Sequence, residues 1–155
     1  NFDYDVNDFS RSAQEGKFKQ LNQMILNTAP THSVRELING WYPDNRIEQD
    51  SQFVPSGWKG PGRQLYTYVV KPFCRTCHVA MTEGVIDFQS FDQFIRHRNS
   101  IDAFVCSPSL GTTDSHERKM PHAAVTFDQF WLNRTAITVL SRFLERSSPC
   151  PPPPP

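Results

Sequence analysis

The chain has no surplus of charge of either sign, with sixteen Lys and Arg against sixteen Asp and Glu in 155 residues. Without a basic excess or a Lys/Arg-rich run, nucleic acid is not an expected partner. No apolar run reaches the length that a membrane span needs, so no span and a soluble chain are expected. No segment alternates apolar and polar residues over strand length, which leaves an all-α fold with long loops as the expected class. Four cysteines are too few for a disulfide scaffold at this size. The sequence opens at Asn1 with no signal-like segment, as a processed product would.

What is present is unevenly spread. Thirteen prolines outnumber seven glycines, and the chain closes on "SSPCPPPPP". Consecutive prolines favour an extended polyproline II rod that cannot join a helix. Near the start, Phe9, Ala13, Phe18, Leu21, Met24 and Ile25 recur at helical intervals. Asp8 or Ser10 can cap that helix, and its apolar stripe, Met24 included, is expected to be core. Ser33 with Glu36 reads as a capping box opening a second helix that Gly40 ends.

From Trp41 to Gly62, Pro43, Pro55, Gly57, Gly60, Pro61 and Gly62 mark a long loop. Leu65, Tyr66, Val69 and Val70 return to helical spacing, although "YVV" alone also suits a strand, and Pro72 is expected to break or kink what precedes it. Ser90 with Gln93 caps a helix bearing Phe91, Phe94, Ile95, Ile101, Phe104 and Val105. Thr126 with Gln129 opens the last helix, with Phe127, Phe130, Trp131, Ile137, Leu140 and Leu144 inward. The chain therefore reads as a helical and loop extension over 1–61, a helical domain over 62–148 and a proline-rich tail over 149–155.

Residues 72–81, "PFCRTCHVAM", carry the chemistry. Cys74, Cys77 and His78 have the C-x-x-C-H spacing of covalent haem attachment. On one helical turn two thiols three apart each meet a vinyl group of the haem, and the next residue turns its imidazole to the iron. Zinc binding and dithiol redox chemistry compete. Zinc wants a second ligand pair, yet Cys106 and Cys150 stand far apart, and His97, His116 and His122 fit no finger pattern. A thioredoxin-like pair wants a βαβ context.

A soft thioether is the usual sixth ligand of electron-carrying haems. Met81 follows His78 by one turn and lies on the same side of the iron. Met120 ends a polar loop and precedes Pro121, where core filler is not expected, so it is the favoured ligand. His122 is the rival, and His116 a weaker one. Arg63, Lys71, Arg75 and the Trp58 indole are candidates for haem carboxylates, against the plainer reading of a solvated basic face. Cys106 and Cys150 either pair with each other or remain a buried and an exposed thiol.

"CRTCH", followed about forty residues later by "KMPHA" and an aromatic helix, resembles the class I cytochromes c. More narrowly, "CRTCHVAM … KMPHAAVTFDQFW" is similar to single-haem domains of bacterial envelope proteins, over about residues 62–146. The resemblance implies a cytochrome c-like helical haem domain, with one haem c on thioethers at Cys74 and Cys77. It implies iron ligated by His78 and Met120, with Phe127, Phe130 or Trp131 packed near the ring. One-electron transfer to redox partner proteins, rather than enzymatic turnover, is the implied function, in a bacterial periplasm or outside the cell. An open sixth position would instead imply a small-ligand sensor or a peroxidase-like enzyme. A third reading is a haem-bearing subunit of a homo- or hetero-assembly, docked through the N-terminal extension or the proline tail.

Overall fold

A computed structural model describes residues 8, 10–47, 53–78, 88–106 and 124–152, with the backbone alone at Thr76, Cys77 and Ala124. The described residues are mostly helical and contain no strand, so the all-α class holds. They fall into two compact units, 1–55 and 56–155. No helix among them is long and apolar enough to cross a membrane.

In the first unit the Ser10 hydroxyl accepts the Ala13 N–H and starts α1, Arg11–Leu26. Thr31 caps α2, His32–Trp41, by accepting the Val34 N–H. Ser33 thus lies inside α2 rather than at its start, because a competent cap stands two residues earlier. Gly40 is also helical. A Cβ there would meet the Phe53 ring at 2.3 Å, so this glycine makes room for an aromatic ring rather than ending the helix.

The apolar stripe of α1 is not core. Phe18 and Leu21 are exposed, and Met24 is 65 % exposed. The polar face of α1 makes hydrogen bonds within the unit. Lys19 Nζ donates to the Asn45 carbonyl at 2.5 Å, Asn22 Nδ2 to the Tyr42 hydroxyl at 2.8 Å, and Gln23 Nε2 to Asn45 Oδ1 at 2.5 Å. Residues 19, 22 and 23 share one face, and that face meets Tyr42 and Asn45.

The second unit opens with two tight turns, Ser56–Trp58 and Gly60–Gly62. The chain then runs without interruption from α3, Arg63–Leu65, through a π-type segment, Tyr66–Cys74, into α4, Arg75–His78. Pro72 does not break this run. The Arg75 N–H bonds to the Val70 carbonyl, five residues back. Wider π-type turns relieve the clash of a proline ring with the carbonyl four residues earlier.

A full capping box at Ser90 and Gln93 starts α5, Phe91–Arg96. The single helix expected beyond it is instead α5, then α6, Arg98–Ile101, then a π-type segment, Asp102–Cys106. Phe94 and Ile101 are buried, whereas Ile95 and Phe104 face out. The last expected helix is likewise two, α7, Ala124–Leu132, and α8, Arg134–Phe143. Asn133 divides them because its side-chain oxygen accepts the Ala136 N–H and caps α8.

The core of this unit gathers Trp58, Tyr66, Val69, Val70, Phe94, Phe130, Ala136 and Leu140. Both α7 and α8 pack on the π-type segment that leads into α4. Two ion pairs join the end of α8 to the helices before it, Arg98 to Glu145 at 2.8 Å and Arg146 to Asp102 at 2.5 Å. The arginine of the first pair also lies 4.9 Å over the Phe143 ring.

Cys106 and Cys150 form a disulfide with Cα atoms 4.7 Å apart. Both are buried. Ser141 serves the bridge, with its hydroxyl donating to the Ile137 carbonyl at 2.7 Å and accepting the Cys150 N–H at 2.9 Å.

The 56–62 turns sit tightly on the entry to α5. A Cβ on Gly57 would lie 2.9 Å from the Gln89 carbonyl oxygen, and one on Gly62 would lie 2.8 Å from the Phe91 side chain. Gly57→Ala therefore forces backbone apart. Urea unfolding should show a loss of about 1–3 kcal/mol, with helix content unchanged in the folded state.

Candidate functional site

The C-x-x-C-H motif occupies the last described turns of the continuous helix. Cys74 closes the π-type segment, and α4 carries the other two motif positions, Cys77 and His78. Residues three apart on such a turn share a helix face, so the backbone brings positions 74 and 77 to one side. Cys74 is half-buried. His78 is only 6 % exposed, and its Nε2 is shielded from solvent.

The imidazole packs on a ring that the sequence reading did not single out. Phe88 lies 4.4 Å from His78 between ring centroids, with planes inclined by 36°. Phe88 packs in turn on Phe94 at 4.7 Å. The available signal was an apolar residue just ahead of a capping box, where a helix entry is often stapled to its own first turns.

Trp58 does not offer its indole N–H to a ligand. It donates to the Phe88 carbonyl oxygen at 2.9 Å. Nor is Arg75 part of a solvated basic face. It is 6 % exposed, one Nη donates to the Tyr66 hydroxyl, and its guanidinium carbon lies 5.2 Å over the Tyr66 ring. A guanidinium held over a ring and bonded to the phenol beside it is a pairing that Arg tolerates on burial better than Lys does. Tyr66 itself packs on Trp58 at 5.5 Å. Arg63 is exposed, and desolvation pushes the Lys71 pKa below its usual value.

On the other side, α7 reaches the motif through Phe73, the residue before Cys74. The Phe73 and Phe130 rings meet edge-on at 5.4 Å. Phe130 contacts Trp131 at 5.0 Å, and Trp131 contacts Phe127 at 5.9 Å. Phe127 and Trp131 thus join the motif helix through Phe130. Trp131 Nε1 is shielded from solvent and has no hydrogen-bond partner among the described residues. Leaving such a donor unmet is costly unless something polar reaches it.

These residues fit a covalently held haem. The donor set pairs two thiol positions on one turn with a buried imidazole, aromatic rings flank it, and a shielded indole donor adjoins Phe130, the ring that packs on Phe73. Met81, Met120, His116 and His122 lie outside the described residues. Among the described residues no group of three or more His, Cys, Asp or Glu side chains could hold a bare metal ion. The two remaining cysteines are committed to each other in the Cys106–Cys150 disulfide, away from zinc or dithiol chemistry. Comparison with protein-family models, with curated proteins and with solved structures returns no match, so the functional reading rests on the residues themselves.

Proposed function

We propose that the chain is a single-haem c-type cytochrome that passes one electron at a time between partner proteins. The observation that carries this reading is the C-x-x-C-H motif on an unbroken helical run, with its histidine buried against the Phe88 ring. Cys74 and Cys77 would hold the group covalently, as thioethers. His78 and Met120 would ligate the iron. The bound haem supplies the one-electron chemistry.

The protein's part is to hold the group dry and fixed. Burial of His78 and the aromatic flank exclude water, and exclusion of water together with axial ligation sets the potential of such a centre. Two protein ligands keep the coordination alike in both oxidation states. The role of an electron carrier, rather than of an enzyme, follows from that closed coordination. The disulfide supports maturation in an oxidising compartment, the bacterial periplasm or the cell exterior.

The test is the mass and spectrum of the full chain isolated from cells able to attach haem. Denatured protein should carry the added mass of one haem, and native protein should give a six-coordinate low-spin spectrum with a sulfur-to-iron charge-transfer band. Met120→Ala should abolish that band and lower the midpoint potential. A high-spin parent with rapid carbon monoxide binding would point to an open site instead, and a chain without haem mass would refute the reading.

A further inference from the structure

We propose that Trp58 and Phe88 act together as a positioning latch for the His78 imidazole. Phe88 is buried, and its backbone sits at a φ of 50°, a left-handed conformation that a bulky residue with a Cβ seldom adopts. Such a conformation persists where its surroundings over-determine it. The Trp58 indole N–H holds the Phe88 carbonyl at 2.9 Å, and the Phe88 ring faces the imidazole at 4.4 Å.

The latch is braced at both ends. Trp58 packs on Tyr66, whose hydroxyl accepts from Arg75, three residues before His78 in the same helix. The contacts Arg75–Tyr66–Trp58–Phe88–His78 therefore close a circuit on the attachment turn. Gly57 lets the Trp58 loop approach the 89–90 backbone closely enough for the indole to reach. A ligand's orientation is set by the groups that pack and bond around it, and those groups tune the centre it binds. Neither Trp58 nor Phe88 donates an atom to the proposed iron; each acts through His78.

The latch's consequence for the iron rests on the cytochrome reading, whereas its geometry is independent of it. Trp58→Phe removes the N–H donor and keeps an aromatic ring. Phe88→Leu keeps apolar bulk and removes the ring. Both are compared with the parent as full chains by denatured mass, by the ring-proton shifts of His78 in the reduced state, and by midpoint potential. Trp58→Phe should keep the haem mass and helical circular dichroism while moving the His78 shifts and the potential. Phe88→Leu should move them further in the same sense.

Unmoved His78 shifts and potential in both variants would overturn the latch. Should Trp58→Phe fail to fold, Phe88→Leu decides by the same two readouts. A parent chain lacking haem mass would defeat the cytochrome reading alone, because the His78 shifts still report whether the Trp58 N–H fixes the Phe88 ring.

Discussion

Replacing both Cys74 and Cys77 with serine should leave a chain whose denatured form is colourless and carries no added mass. Serine matches cysteine closely in shape, but its hydroxyl does not add to a vinyl group as a thiol does. Helix α4 and its packing should therefore survive while covalent attachment is lost entirely. Each single substitution should leave one thioether, so the denatured chain retains some haem, with the residual vinyl group visible as a red shift of the absorption bands. His78 remains in both single variants and can still ligate iron. Pigment that persists at parental mass through denaturation of the double variant would show that these sulfurs are not the attachment points. The disulfide provides an internal control, because neither substitution touches Cys106 or Cys150.

The second large effect concerns that disulfide. The bridge joins residues 44 apart in sequence. The chain-entropy relation for a closed loop of that length gives about 4 kcal/mol of stabilisation at 25 °C, with measured values more often about 2–4. Both sulfurs are buried, and the Cys150 N–H is already bonded to Ser141, so the native state is prepared for the link. Cys106→Ser with Cys150→Ser should thus lower the Tm of a unit of this size by about 10–20 °C. Scanning calorimetry of the oxidised parent, the reduced parent and the double variant should place the last two together. A double variant melting within a few degrees of the oxidised parent would mean that the bridge adds nothing beyond packing.

The helical placement of Cys74, Cys77 and His78 was legible because the three lie within about one turn, where spacing alone sets which positions share a face. The caps at Ser10 and Ser90 were legible for the same reason, since each bonds an N–H three residues ahead. Ser33 misled because Thr31 has equal capping chemistry and comes first. Asn133 went unread because helical spacing of apolar residues continues across it, and only its side-chain oxygen marks the break.

What lay beyond local reach was hidden. Periodicity identified the α1 stripe as apolar but not what it would pack on, and Met24 stands exposed. Sequence left the pairing of Cys106 and Cys150 open, because no pattern measures a distance across 44 positions. Phe88 and Trp58 meet across 30 residues, and Phe88 adopts a backbone conformation for which its residue type gives no warning.

The wide-turned stretch from Tyr66 to Cys74 sets a phase between two ends of one rod. An α-helix advances about 100° per residue. Deleting a single residue from this stretch while it keeps its wide turns would rotate the thiol-bearing end by somewhat less than that angle against the buried Tyr66 and Val70. The direction in which positions 74 and 77 face is thus encoded partly in a residue count, and a length change there would re-aim both while leaving the motif itself unaltered in sequence.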